Sequence, residues 1–305
     1  MTTSAHIEIV EVSPRDGLQN EAVTLDTRHK IALVEQTVAA GARRVEVTSF
    51  VRPDRVPQMA DAEAVLAGIT RVPGVSYAGL VLNRRGTERA VDAGVDELNY
   101  VVPATDVFGG RNQGVTVAEA IRALEGVAAV ADTARLPLTV TVAVAFGCPY
   151  QGEVSTEEVA AVVRDVLRVG PLAGVALADT IGAGVPAEVH ERFAAVRDLT
   201  DLPLRAHFHD TRKTGLANAL AAVAEGVRTL DSSAAGLGGC PFAPGAAGNV
   251  ATEDLAWLLE RSGFTTGLDI AAIAAAGAEV CGHLGTRVRS GVGSAGPFPV
   301  PSDQT

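Results

Sequence analysis

Eight short β-rich runs recur along the chain, each followed by a stretch with helical patterning, and this alternation constrains the fold more than any other feature. The strand candidates are Ile7–Ser13, Arg44–Ser49, Ser76–Leu82, Glu97–Val102, Leu138–Phe146, Gly174–Asp179, Leu204–His209 and Val227–Ser232. They read as near-continuous Val, Ile and Leu runs, the pattern of strands covered on both faces. Helical segments with recognisable ends lie between them. Asp26–Ala40 is closed by Gly41, and a helix from Ser155 to Val169 opens on a Ser155/Glu158 capping box and is followed by Gly170. Strict alternation calls for parallel pairing with right-handed crossovers. Eight such units close a (β/α)8 TIM barrel. The competing open, doubly wound sheet lacks its Gly-x-Gly-x-x-Gly turn after the first run, so a dinucleotide crevice is unsupported. A chain of 305 residues suffices for one barrel. We therefore read residues 1–285 as a single catalytic domain, with extra C-terminal helices near Thr252–Arg261 and Leu268–Leu284. Residues 286–305 read as a C-terminal tail, rich in Gly, Ser and Pro from Ser290 onward and expected to be loose.

Charge and cysteine content narrow the class of partner. With 25 basic against 36 acidic residues the net charge is −11, and aromatic residues are few, so no nucleic-acid platform is expected. A local basic pocket for an anionic substrate remains compatible with that balance. The three cysteines (Cys148, Cys240 and Cys281) are too few and too far apart for a disulfide framework, which favours reduced thiols and a cytoplasmic setting. Met1 to Glu11 carries neither a basic leader nor a long apolar stretch, and no run of 18 apolar residues occurs, so neither a signal peptide nor a membrane span is expected.

In a barrel the reactive residues belong at the C-terminal ends of the strands. The first run ends in Ser13-Pro14-Arg15-Asp16-Gly17, the second carries Glu46, the sixth ends at Asp179, and the seventh ends in His207-Phe208-His209-Asp210. His207 and His209 are two apart on a strand and so share one face, where paired imidazoles make good metal ligands. An isolated His-x-His is more often a hydrogen-bonded core pair. Asp16 in the neighbouring strand-end sector, and Asn249 from the last loop, shift the reading to a metal site. Two nitrogens, a carboxylate and an amide oxygen leave positions open for a substrate hydroxyl and carboxylate on Mg²⁺ or Mn²⁺, with zinc and cobalt open on ligand type alone. Arg15, beside that ion, suits stabilisation of a developing enolate oxygen, although a loop arginine is commonly a surface charge. Cys240 lies in the glycine-dense stretch Gly236-Leu237-Gly238-Gly239-Cys240-Pro241, where a lone cysteine is commonly a bystander. Cys148 and Cys281 read as structural, and His6, His29, His190 and His283 as surface or packing residues.

Several longer blocks now resemble a known family. Val12 to Glu21, Glu46-Val47-Thr48-Ser49-Phe50-Val51, Val56-Pro57-Gln58-Met59, His207 to Thr211, Ala235 to Ala243 and Gly248-Asn249 look like those of 3-hydroxy-3-methylglutaryl-CoA lyases. The similarity runs from about residue 7 to residue 262. It implies that Asp16, His207, His209 and Asn249 bind one Mg²⁺ or Mn²⁺, that Arg15 stabilises the enolate of the departing acetyl thioester, and that Cys240 transfers a proton to it. It further implies a catalytic part for His207 beyond ligation, and supporting parts for the acidic residues Glu46 and Asp179. The expected reaction is a retro-Claisen cleavage of an acyl-CoA thioester to acetyl-CoA and acetoacetate, in leucine or ketone-body-type metabolism, by a homodimer.

The chain departs from the usual lyase pattern at Ala22, commonly lysine, and at Arg212-Lys213-Thr214-Gly215, commonly a Tyr-Gly-Gln-Ala-like segment. Phe242 and Ala247 also differ from the usual residues. The basic pair Arg212-Lys213 reads equally as solvent-exposed or as binding an anionic group, and these changes leave the acyl side chain open. A Claisen-condensing synthase of the isopropylmalate or citramalate type is the alternative. Such enzymes commonly show His-x-His-Asn-Asp where this chain has His209-Asp210-Thr211, and often add a C-terminal regulatory domain. A barrel serving only as a scaffold is disfavoured by the intact metal and proton-transfer set.

Overall fold

Parallel strands close into a barrel in which each pairs with its sequence neighbours and the last returns to the first. The structure, a computed structural model, describes residues 5–239 and 248–296. The strands are β1 (Glu8–Glu11), β2 (Arg44–Ser49), β3 (Ser76–Val81), β4 (Glu97–Pro103), β5 (Leu138–Ala143), β6 (Gly174–Asp179), β7 (Leu204–Phe208) and β8 (Thr229–Ser232). Around them run α1 (Thr27–Ala39), α2 (Ala62–Gly68), α3 (Arg84–Asp92), α4 (Asp106–Asn112), α5 (Val117–Ala134), α6 (Thr156–Val166), α7 (Pro186–Arg197) and α8 (Gly215–Ala224). Three more helices follow β8, namely α9 (Thr252–Arg261), α10 (Ile270–Leu284) and α11 (Gly291–Ala295). The expected bounds of β2, β6 and α9 coincide with the observed ones. The capping box is present at α6, where Ser155 Oγ accepts from Glu158 N at 3.2 Å and Glu158 Oε2 accepts from Ser155 N at 2.7 Å.

The strands are buried on both faces, but the two faces differ in chemistry. Outward residues are apolar or amphipathic: Tyr100 on β4 packs under α5 and its hydroxyl donates to Ala120 O at 2.8 Å. Alternate residues face the lumen and on several strands are polar, which the near-continuous apolar reading of the strands did not anticipate. Arg205 on β7 meets Glu46 on β2, and since those strands are not neighbours in the sheet the contact crosses the barrel. The lumen is filled in tiers. At the N-terminal end Arg44 pairs with Glu8 (3.0 Å) and Glu97 (2.8 Å). Above it, Asn99 donates to Glu46 Oε2 at 2.9 Å and accepts from Thr141 Oγ1 at 2.8 Å. Burying so many polar groups is tolerable because these side chains pair with one another inside the lumen.

Residues 290–295 lie within the stretch read as a tail, and they contact α9. Ser290–Ala295 returns to the barrel because Asp254, in the first turn of α9, accepts from Gly291 N (2.8 Å) and Val292 N (2.7 Å), satisfying free N–H groups at the start of α11. No helix among the described residues is long and apolar enough to cross a membrane.

Candidate active site

At the C-terminal end of β1 the chain coils into one tight π-helical turn, Ser13–Gly17, with Pro14 in its first positions. Val12 O accepts from Arg15 N, Asp16 N and Gly17 N at 2.8–3.2 Å, so Arg15 and Asp16 are delivered at the barrel mouth on a fixed backbone. Gly17 is required there: a Cβ would lie 2.8 Å from Ser233 Oγ and 3.1 Å from Leu237 Cβ of the segment after β8. His207 on β7 and His209 just beyond it face Asp16. Each Nε2 lies 3.9 Å from Asp16 Oδ2, and the three side chains form the single cluster of metal-ligating type among the described residues. Asn249 reaches the same place from 40 residues away in sequence because residues 248–250 run back beside the end of β7. Val250 N donates to Phe208 O at 3.2 Å, and His209 and Asn249 form an antiparallel bridge. Asn249 Nδ2 then donates to Asp16 Oδ2 at 2.9 Å and to Leu237 O at 3.1 Å. Gly238 (φ +100°) lets the chain pass over it, since a Cβ there would lie 2.6 Å from Asn249 Nδ2.

These donors fit one divalent cation. Oxygen and nitrogen donors about 2.1 Å from a common ion lie within about 4.2 Å of one another, which the 3.9 Å separations respect. Asn249 Oδ1 is buried and accepts from nothing among the described residues, an orphaned acceptor of the kind a cation satisfies. Burial raises the Asp16 carboxyl, but Arg15 and the two histidines outweigh it and hold the group well below its ordinary range. His209 is pushed down to about 4 by burial and by the charge of His207, which keeps its lone pair free. His207 goes the other way: burial lowers it, but the Asp231 hydrogen bond and the charge of Asp16 raise it overall.

The other residues singled out from sequence divide. Arg15 donates from Nη1 to Asp16 Oδ1 and from Nε to Glu46 Oε1, and its Nη2 has no hydrogen-bond partner among the described residues. Glu46 is thus brought into the cluster as the floor beneath Arg15. Asp179 touches it through the backbone, its carbonyl accepting from His209 N at 3.3 Å, while its side chain turns to the following loop. Its carboxylate accepts from Ala183 N (2.9 Å) and Gly184 N (3.0 Å), shaping the loop after β6. Arg212 clamps that same loop, donating from Nη1 to Ile181 O (3.0 Å) and Gly182 O (2.9 Å), while Lys213 pairs with Asp210 at 2.9 Å. Cys240, with Phe242 and Ala247, lies outside the described residues. Cys148 is buried, its Sγ accepting from Thr105 Oγ1 at 3.3 Å.

Two residues escaped the sequence reading. Asp231 on β8 accepts from His207 Nδ1 at 3.1 Å, which orients the ring with Nε2 toward Asp16. Arg205 donates from Nε to Asp231 Oδ1 and from Nη2 to Glu46 Oε2, the latter at 3.4 Å. The alternation Arg205-x-His207-x-His209 carried a signal, since all three must share the lumen face.

A sequence model of the family described as HMGL-like matches residues 6–280. The hydroxymethylglutaryl-CoA lyase of Pseudomonas mevalonii is 42% identical over 290 residues, covering 95% of this chain and 96% of that protein. Among solved structures, the hydroxymethylglutaryl-CoA lyase of Pseudomonas aeruginosa superposes with a TM-score of 0.91 at 40% identity, covering 97% of this chain and 98% of that one. An HMG-CoA lyase from Acinetobacter baumannii, in complex with coenzyme A and 3-methylmalate, superposes with a TM-score of 0.92 at 38% identity, covering 99% and 100%.

Proposed function

The chain belongs to the HMGL-like family, and from that premise we propose that it is a divalent-metal-dependent carbon–carbon lyase. Its substrate on this reading is 3-hydroxy-3-methylglutaryl-CoA or a closely related 3-hydroxyacyl-CoA. The observation that carries the reading is the convergence of Asp16, His207 and His209 at the strand ends, with Arg15 against them. Asp16, His207, His209 and Asn249 would hold Mg²⁺ or Mn²⁺. When bound, the ion supplies the Lewis acidity that makes the substrate's tertiary hydroxyl a better acid.

The protein's own groups account for the rest. A general base takes the hydroxyl proton, the hydroxyl oxygen becomes that of a ketone, and the bond between the tertiary carbon and the thioester α-carbon breaks. The electron pair passes to the thioester as an enolate. Arg15, with Nε and Nη1 held by Glu46 and Asp16, offers Nη2 to that enolate oxygen. His207 is oriented by Asp231, which leaves Nε2 for the ion, and family resemblance gives it a catalytic part beyond ligation. Asp179, beside His209, holds the loop after β6. Cys240 protonates the enolate carbon to give acetyl-CoA, and acetoacetate (or the matching keto acid) is the second product. This assignment of Cys240 rests on family resemblance, as does assembly as a homodimer. The kinship with a bacterial lyase supports work in the cytoplasm. The structure of a relative holding coenzyme A supports a coenzyme A thioester as substrate.

The test is a steady-state assay on a panel of 3-hydroxy-3-alkyl thioesters with Mg²⁺ or Mn²⁺. We expect acetyl-CoA and a keto acid in equal amounts from at least one thioester. Cys240→Ser is expected to lose most turnover while binding Mn²⁺ as the wild type does. No cleavage of any thioester would end the lyase reading.

A further inference from the structure

Arg205 is 2% exposed and stands two residues before His207 on β7, deep in the lumen. Its two contacts reach opposite sides of the site. Asp231, which takes its Nε hydrogen bond, also takes the Nδ1 hydrogen bond of His207. Glu46, which lies 3.4 Å from its Nη2, also accepts from Arg15 Nε. One planar group therefore touches both the carboxylate that orients a ligand histidine and the carboxylate that orients the arginine facing the substrate. We propose that Arg205 is a positioning residue, a rigid brace that fixes His207 and Arg15 relative to each other from beneath. The proposal rests on the reading of Asp16, His207, His209 and Asn249 as the metal site.

The guanidinium suits this role because its donors point in fixed directions within one plane, so two carboxylates can be held at once. An ammonium in its place is a point charge on a flexible stem and holds one of them well. The two arms are unequal. Glu46 retains Arg15 and Asn99 Nδ2 as donors if Arg205 is removed. Asp231 retains only His207 among the contacts described, so it becomes free to turn and take the imidazole with it. The metal side of the site should therefore suffer more than the Arg15 side. Arg205 lies beneath the groups facing the substrate, so turnover should fall without a matching change in KM.

The experiment compares wild type, Arg205→Lys and Arg205→Met by three measurements. These are the ¹H–¹⁵N signal of the His207 Nδ1–H in metal-free protein, Mn²⁺ binding followed by EPR, and steady-state cleavage of 3-hydroxy-3-methylglutaryl-CoA. Arg205→Lys keeps the buried charge and decides the matter if Arg205→Met does not fold. We expect the imidazole signal of the folded Lys variant to shift or broaden, and Mn²⁺ binding to weaken on the order of tenfold. We expect kcat to fall roughly 10–100-fold with KM within about threefold. A folded Lys variant with an unchanged imidazole signal and Mn²⁺ affinity within about twofold of wild type overturns the proposal. If the wild type itself neither binds Mn²⁺ nor cleaves the thioester, the lyase reading fails, while the imidazole signal still decides whether Arg205 positions His207.

Discussion

Two sets of buried carboxylates lie inside and outside the barrel wall near β1 and β8, and they are held in opposite ways. Asp16 and Asp231 face the lumen; Glu11 and Glu253 lie between the barrel wall and α9. Burial is the leading influence on all four and pushes each toward its neutral form. In the lumen it is outweighed. Arg15 with the histidines holds Asp16 down, and Arg205 with His207 holds Asp231 down. Behind the wall no cation among the described residues answers it. Glu11 accepts from Ser13 N (2.8 Å), Ala234 N (3.1 Å) and Thr252 Oγ1 (2.7 Å), Glu253 accepts from Ala235 N (3.0 Å), and both remain raised. Neutral donors satisfy a buried carboxyl but do not keep it charged; cations do. The lumen set is thereby ready for a metal ion, whereas the outer set fastens Ala234 and Ala235, where the chain leaves β8 toward the glycine-rich loop.

The contrast can be broken by substitution. The largest effect is expected for Asp16→Asn, which removes the one charged member of the proposed ligand set. Mn²⁺ binding by EPR should be lost, and kcat/KM for the thioester should fall on the order of a thousandfold or more. Retention of both would show that the lumen set does not bind the ion. Next is Asp231→Asn, which keeps the shape and removes the charge behind His207. Mn²⁺ affinity and turnover should each drop roughly 10–100-fold, with the fold retained by circular dichroism. The smallest effect is expected from Glu11→Gln, and it should appear in stability rather than in turnover. A carboxyl raised in the folded state stabilises most fully below its unfolded value, near 4.5, and that contribution is lost as pH rises through the folded value. The variant has no such group. Its stability relative to wild type should therefore increase with pH across that window, by up to about 1.4 kcal/mol per pH unit. Calorimetric Tm values from pH 4.5 upward would show it. A loss of turnover in Glu11→Gln as large as that in Asp231→Asn would erase the distinction between the two sets.

Much of this architecture was legible before any coordinates. Strand and helix period, the Ser155/Glu158 box and the turn after β1 are local properties, and a stretch of ten or so residues contains all the chemistry that decides them. The lumen-facing pair His207 and His209 was legible for the same reason, because a strand alternates its faces. Asp231 was not, since a lone acid in a strand looks the same whether it faces the lumen or the helices. Parity with the two histidines gave the face of Arg205 but not its partners, which only the cross-barrel neighbours reveal. Asp179 was legible as a strand-end acid, but its use as an anchor for Ala183 and Gly184 depends on how the following loop turns.

The amino-acid sequence by itself determined the repeating unit, the side of each unit on which reactive groups accumulate, and the identity of most of those groups. Closure of the barrel decided the rest. It set Arg205 against Glu46 across 159 residues of chain and brought Asn249 back beside β7. It also gave each buried charge the partner that fixes its ionisation. Local patterning follows from backbone geometry over a turn or two, whereas ionisation and ligand convergence are set by what lies within a few ångströms in space, and that neighbourhood exists only once the ring of strands is complete.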